Sequence, residues 1–284
     1  MSALALGLLL LAGTLHAAWN LLIKGSTNRL LFTWLAVLAG GLLYLPVLVA
    51  APVPRALWPF VVASGLVESL YYLMLAYAYD QADFSQAYPL ARGAAPVLLA
   101  VWAALALREI PSAAGLGGLA LVVVGLVPVG SGAAWWRWGG AAFKRRGVAA
   151  ALGTALCVSC YSIIDGVAVR RTAAAPYTAA ITLASVVPLV PWLLRRYGMR
   201  AIAAEARAGA LRIVVAGALM MIAYTSVLRA YAVTPLAYAG AVREVGVVIA
   251  ALVGWRWLGE NFGPRRLAGA VAVFAGILVL AFAA

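Results

Sequence analysis

Residues 76–125 read AYAYDQADFSQAYPLARGAAPVLLAVWAALALREIPSAAGLGGLALVVVG, and this stretch decides the fold. It contains an apolar helix with Arg92 near its start and Glu109 just past its end, followed by a second apolar helix that carries glycines. The second half of the chain repeats this design. Four pairs of residues share one displacement of 151 positions: Arg92 and Arg243, Glu109 and Glu260, Gly118 and Gly269, and Gly125 and Gly276. Four matches at a single spacing indicate an internal repeat.

The composition excludes a soluble globular protein. Hydrophobic residues make up 66% of the chain and charged residues 10%, which leaves too few polar groups to cover a surface exposed to water. The apolar residues come in blocks of about 20, the length of helix that crosses roughly 30 Å of hydrocarbon. Backbone in lipid must satisfy its own hydrogen bonds, and the blocks do not alternate, so we predict an all-α integral membrane protein.

Ten transmembrane helices are predicted, as two five-helix repeats. The predicted spans are residues 3–23, 30–51, 57–79, 84–107, 112–130, 147–169, 176–195, 210–233, 236–258 and 265–283. The first repeat covers residues 1–130, the inter-repeat loop 131–146 and the second repeat 147–284. Because five is odd, the second copy enters the membrane from the opposite side, and such inverted repeats usually enclose a central cavity near the bilayer midplane.

The net charge of +13 is typical of nucleic-acid binding as well as of membrane topology. Here the basic residues lie in short loops between apolar blocks, so we expect no nucleic-acid partner. Loops after the odd-numbered spans hold fourteen Lys and Arg residues, and the opposite loops hold four. The positive-inside rule therefore predicts a multi-pass protein of the inner (plasma) membrane with both termini on the non-cytoplasmic side.

Two short motifs resemble a known family. One is the pattern His16-Ala17-Ala18-Trp19-Asn20 with Lys24 in the first span, and the other is an apolar helix that ends Leu107-Arg108-Glu109 or Leu258-Gly259-Glu260 before a helix with glycines. With the two five-helix repeats, they resemble the EamA-like family of the drug/metabolite transporter superfamily, over essentially the whole chain, and within it the YddG-like amino-acid exporter branch. The resemblance implies a carrier that exports amino acids or related small metabolites.

Ionisable side chains inside the spans are the candidate functional residues, because each costs about 2.5–3.5 kcal/mol near the bilayer centre. Glu68 lies near the middle of the third span, with Tyr71 and Tyr72 on the same helix face. This pattern indicates a site for a substrate amine or a proton. An acid that pairs with a neighbouring arginine for packing is the alternative.

Arg92 and Arg243 are repeat partners, so we expect them to approach a common axis and to present their guanidinium groups to a carboxylate. Snorkelling to the nearer interface is the alternative. Tyr88 stands one turn before Arg92, and Glu244 follows Arg243.

The remaining candidates share helix faces. The predicted substrate-binding residues are His16, Trp19, Asn20, Glu68, Tyr71, Tyr72, Tyr88, Arg92, Tyr161, Tyr224, Tyr238 and Arg243. The candidates for proton coupling are His16, Glu68, Asp165 and Glu244. A histidine that only bonds a neighbouring helix and tyrosines that only fill the core are the alternatives.

Opposite charges beside aromatic faces suit a zwitterion with an apolar side chain. We therefore predict a secondary transporter that exports amino acids, with aromatic or large neutral substrates preferred, by alternating access. Efflux of cationic drugs or lipophilic amines is the alternative, with Glu68 dominant. A membrane-embedded enzyme is a distant third, because the chain has no catalytic motif and one histidine. We expect a small-molecule substrate and the lipid bilayer as partners, no cofactor or metal, and a monomer or homodimer.

Overall fold

A computed structural model describes residues 1–24, 26, 28–81, 84–131, 145–258 and 263–283. Within these ranges, side chains are described outside residues 24, 75–91, 130–148, 250–251, 254–255 and 257–258. The described chain is helical between its loops. The helices are α1 (Ala3–Lys24), α2 (Arg29–Ala50), α3 (Trp58–Gln81), α4 (Phe84–Leu107), α5 (Ala113–Ser131), α6 (Arg145–Ala168), α7 (Ala174–Val186), α8 (Val190–Ala208), α9 (Ala210–Tyr231), α10 (Leu236–Arg243), α11 (Val245–Leu258) and α12 (Pro264–Ala283).

Seven helical segments within the described ranges are long and apolar enough to cross a membrane. They are Ala3–Ile23, Arg29–Ala50, Arg55–Met74, Ala149–Ala168, Ala174–Ala208, Ala210–Tyr231 and Pro264–Ala283. Arg92–Leu107 and Ala113–Val129 are shorter apolar helices. The protein is thus an all-helical, multi-pass membrane protein, and the count of ten spans stays a prediction.

Two predicted spans differ from the structure in their course. The seventh was expected to end at residue 195, but the helical path continues through a short 3₁₀ turn at Val187–Leu189 to the end of α8 at Ala208. Gly198 has a φ of +75°, which glycine adopts without strain, so the path changes direction there and stays largely helical. The ninth span, predicted as 236–258, is divided at Glu244 into α10 and α11.

Helices α5 and α12 approach so closely that only glycine fits at their contact. A Cβ on Gly118 would lie 3.0 Å from the carbonyl oxygen of Gly276, and a Cβ on Gly125 would lie 2.6 Å from that of Gly269. The pairing is crosswise, because the displacement of 151 residues relates Gly118 to Gly269 and Gly125 to Gly276. A two-fold axis between equivalent helices produces this reciprocity, which supports the predicted repeat.

The other helices also pack across the two halves. Helix α1 packs against α9, and α6 packs against α3. Helices α7 and α8 together form one span (Ala174–Ala208), so α9 is the third span of the second half. In both cases the first span of one half lies on the third span of the other. The N-terminal ammonium of Met1 donates a hydrogen bond to the carbonyl oxygen of Ala281 at 2.8 Å, so both ends of the chain lie at one end of the bundle. The inter-repeat loop lies mostly outside the described residues, and the repeat boundaries stay a prediction.

Candidate functional site

A cavity opens between six helices, α1, α2, α3, α6, α7 and α9. It offers about 90 Å³ to the centres of water molecules. Its lining combines one carboxylate, a histidine, five other aromatic side chains, and small or flexible apolar groups. The lining residues are His16, Trp19, Thr33, Val37, Glu68, Tyr71, Tyr72, Tyr161, Thr182, Gly217, Met220, Met221 and Tyr224. Seven of the predicted site residues therefore meet at one place.

A chain of tyrosine rings forms one wall of this cavity. The ring centroids of Tyr71 and Tyr72 are 5.1 Å apart, those of Tyr71 and Tyr161 are 6.1 Å apart, and those of Tyr161 and Tyr224 are 6.2 Å apart. All three pairs meet edge to face, the arrangement that the ring quadrupole favours. Glu68 lies among these rings, and Ser185 of α7 is its hydrogen-bonding neighbour. The result is a carboxylate set in an aromatic wall.

Helix α1 supplies His16 and Trp19, whose ring centroids are 5.4 Å apart. Nδ1 of His16 lies 3.1 Å from the carbonyl oxygen of Ala12, so it carries the proton and donates it. The indole nitrogen of Trp19 is buried and has no hydrogen-bond acceptor among the described residues. Asn20 is exposed and donates to the carbonyl oxygen of His16, so the structure does not bring Asn20 to the cavity.

The two arginines of the repeat meet a carboxylate of the protein itself. Arg92 Nη1 lies 3.4 Å from Oε2 of Glu244, and Arg243 Nε lies 3.7 Å from Oε1. Arg243 also donates to Ser162 at 3.5 Å and to Tyr231 at 3.3 Å. Arg243 is only 6% exposed, which excludes snorkelling, and neither arginine lines the cavity. Both arginines meet at Glu244, because the interruption of the helix at that residue brings the acid to them.

Asp165 lies behind the cavity wall on α6 and is fully buried. Tyr177 donates a hydrogen bond to Oδ1 at 2.9 Å, and Tyr224 donates one to Oδ2. Tyr224 therefore borders the cavity with its ring and contacts Asp165 with its hydroxyl. This arrangement connects a buried acid to the cavity through one side chain.

Two predicted site residues remain. The hydroxyl of Tyr238 accepts a hydrogen bond from the backbone nitrogen of Ser112 at 3.1 Å, and its ring fills the space above Gly115. The structure thus places Tyr238 at the start of α5, away from the cavity. The side chain of Tyr88 lies outside the part of the structure that is described.

Sequence reasoning missed the apolar part of the lining. Met220, Met221 and Val37 look like ordinary span residues, and no charge distinguishes them. A displacement of 153 residues links Tyr71 to Tyr224 and aligns α3 with α9, and this was the available signal. The residues just before Tyr224 would then be expected at the same cavity.

Comparisons with known proteins agree with this architecture. A profile of the EamA-like transporter family matches residues 145–282. A solved structure, described only as a crystal structure of a protein, superimposes with a TM-score of 0.75 over 99% of this chain and 98% of its own, at 20% sequence identity. At that identity the likeness shows the fold alone. No curated protein matches the chain significantly. Residues 145–282, close to half of the chain, are thus similar to the EamA-like transporter family, which is part of the drug/metabolite transporter superfamily.

Proposed function

We propose that the protein exports large neutral amino acids, aromatic ones preferred, by alternating access through the cavity beside Glu68. The observation that carries this proposal is the position of Glu68 in a wall of aromatic rings. Export is the direction that the family resemblance implies, and the inner membrane is the location that the distribution of basic loops predicts.

The ammonium group of the substrate binds at Glu68. A carboxylate forms a charge-assisted hydrogen bond with an ammonium group, and the faces of Tyr71, Tyr72 and Tyr161 add cation–π attraction. Met220 and Met221 complete the wall with flexible side chains that adapt to an apolar substrate body. The cavity therefore suits an amine on a hydrophobic or aromatic frame.

The carboxylate of the substrate requires a donor on the same cavity. Trp19 offers a buried indole N–H without an acceptor among the described residues. Burying an unpaired donor costs roughly 1–3 kcal/mol, and a substrate oxygen that accepts this hydrogen bond recovers that cost. The two arginines, Arg92 and Arg243, carry two positive charges, and Glu244 carries one negative charge. This group therefore adds a net positive charge behind His16.

Counterflow in proteoliposomes tests the proposal. Vesicles that contain the purified protein and unlabelled phenylalanine should take up labelled phenylalanine, and those with Glu68→Gln should not. One charge-assisted hydrogen bond is worth about 1.5–3 kcal/mol, so we expect the affinity to fall by about tenfold or more. Glu205→Gln on α8, away from the cavity lining, is the matched control and should keep wild-type uptake. Equal uptake by the Glu68→Gln variant and the wild type would overturn the proposal.

Efflux of lipophilic monocations is the second candidate. It is favoured by the arginines, which pair with Glu244 and do not line the cavity. The same vesicles distinguish the two functions when labelled tetraphenylphosphonium replaces the amino acid. Exchange of this cation without exchange of any neutral amino acid would favour the second candidate.

A further inference from the structure

Asp165 is a buried acid that the proposed substrate site does not use. It is 0% exposed, and within the described residues no basic side chain forms an ion pair with it. The hydroxyl groups of Tyr177 and Tyr224 donate hydrogen bonds to it, and the buried Ser64 of α3 is a further hydrogen-bonding neighbour. A charge inside the membrane without a paired cation is expensive, so such a residue is a candidate for function.

The groups that face Asp165 add no positive charge that is available to it. Ser64 and Glu68 face it from α3, Tyr177 from α7, and Tyr224 and Tyr231 from α9. Arg92 of α4 and Arg243 of α10 both pair with Glu244. The site thus has two acids, one on the cavity and one behind it.

The direction of the two hydrogen bonds depends on the proton of Asp165. An ionised carboxylate only accepts, so both tyrosines donate to it, as in the structure. A protonated carboxyl has an O–H that donates, and a tyrosine that accepts this hydrogen bond turns its own O–H elsewhere. Tyr177 is completely buried, whereas Tyr224 borders the cavity. Tyr224 is therefore the hydroxyl that reorients.

This reorientation changes what the cavity offers to an amine. When Asp165 is ionised, Tyr224 directs its proton to Oδ2 and its lone pairs remain available to an ammonium group. When Asp165 is protonated, the hydroxyl of Tyr224 directs its proton into the cavity and repels the ammonium group. A proton on Asp165 thus disfavours the binding of an ammonium group in the cavity.

We propose that Asp165 is the proton-binding residue of the transport cycle, and that Tyr224 makes its proton and the substrate ammonium mutually exclusive. The inference rests on the proposed function, since it concerns an amine substrate at Glu68. When the substrate binds, the Asp165 O–H releases its proton through the hydroxyl of Tyr224 to water in the cavity, and the carboxylate remains. When the substrate leaves, water returns a proton by the same path.

Proteoliposomes with a pH gradient test this inference. With an acidic interior and phenylalanine outside, the wild-type protein should concentrate phenylalanine inside as protons leave. Asp165→Asn should retain counterflow, which needs no net proton movement, and should lose the accumulation driven by the gradient. In weakly buffered detergent solution, phenylalanine should release protons from the wild-type protein, as an indicator dye reports, and should release none from Asp165→Asn.

A matched pair of variants keeps the test decisive if Asp165→Asn does not fold. Tyr177→Phe and Tyr224→Phe each remove one hydroxyl from Asp165, but only Tyr224 reaches the cavity. We expect Tyr177→Phe to keep gradient-driven accumulation, and Tyr224→Phe to lose it and to release no protons at phenylalanine concentrations that saturate its binding. Equal behaviour of the two variants, or accumulation by Asp165→Asn, would overturn the inference. If the wild-type protein shows counterflow but no accumulation driven by the pH gradient, only this inference is overturned. If the wild-type protein shows no counterflow of any amino acid, the proposed function is overturned.

Discussion

Glu244 contacts both arginines of the repeat inside the described bundle. It is 1% exposed and neutralises one of the two positive charges that Arg92 and Arg243 bring into the membrane. The repeat gives it no acidic counterpart, because the displacement of 151 residues leads back to Gly93. The two halves are thus equivalent in their arginines and differ in the acid that holds them together.

Removing this acid should destabilise the protein more than removing the more exposed of its two arginines. Glu244→Gln removes the acid that contacts the buried Arg243 and the partly exposed Arg92, and we expect a loss of about 3 kcal/mol or more. Arg92→Gln should cost about 1 kcal/mol or less, because Arg92 is 23% exposed and Arg243 still balances Glu244. Thermal unfolding in detergent micelles measures both, and an equal loss of melting temperature would contradict this account.

At the scale of single elements, the contact between α5 and α12 depends on the absence of side chains. Gly125→Ala places a methyl group 2.6 Å from a backbone oxygen of α12, so the helices must separate. We expect a loss of about 1–3 kcal/mol, typical of an overpacked contact. Gly117 on the same helix has open space around it, so Gly117→Ala should be neutral or should gain up to about 1 kcal/mol of helix propensity.

Thermal unfolding of these two glycine variants checks the packing of α5. Both variants place alanine on α5, so the helix propensity of alanine affects both. The difference between their melting temperatures therefore reports the contact with α12. If Gly125→Ala unfolds at the wild-type temperature, the close approach of α5 and α12 is wrong.

A second element-scale feature joins the end of α4 to the start of α10. Arg108 has a φ of +57°, a left-handed conformation that ends the helix and lets the backbone nitrogen of Glu109 bond to the carbonyl oxygen of Ala103 at 3.1 Å. The Glu109 side chain then accepts a hydrogen bond from the nitrogen of Leu236 at 2.8 Å and pairs with Arg170. The acid of the repeat motif thus caps a helix of the other half. Its counterpart Glu260 lies outside the described residues.

Two substitutions separate these roles of Glu109. Glu109→Ala removes the cap and the ion pair, and we expect a loss of about 1–2 kcal/mol. Glu109→Gln keeps an acceptor for Leu236 and loses only a pair in which Arg170 is 35% exposed, so the loss should stay below about 1 kcal/mol. Denaturant unfolding measures the difference, and a larger effect of glutamine than of alanine would contradict the capping role.

On the scale of the whole molecule, the contact between Met1 and Ala281 requires an even number of membrane crossings. Ten spans satisfy this requirement, and the distribution of basic loops then predicts which side holds the termini. We expect alkaline phosphatase to be active and green fluorescent protein to be dark when either is fused to either end. Ends on opposite sides would contradict the structure, whereas two cytoplasmic ends would contradict only the orientation.

The sequence by itself determined the membrane environment, the helical class and the resemblance to a transporter family. These properties follow from composition, block length and short motifs, which are local and additive along the chain. It also predicted that Glu68, Tyr71, Tyr72, Tyr161 and Tyr224 would share a site, because helical spacing and the repeat put them on matching faces.

Only the tertiary structure decided how the charges pair. Arg92 and Arg243 were expected to hold a substrate carboxylate, and instead they meet Glu244, because the helix breaks at that residue and turns the acid toward both. Tyr238 was expected at the cavity and caps α5, and Asp165 found two tyrosines on other helices. The partner of a buried polar group is set by crossing angles and helix breaks between distant segments. A pattern along one helix gives the face of a side chain, and the packing of several helices gives the group that it meets.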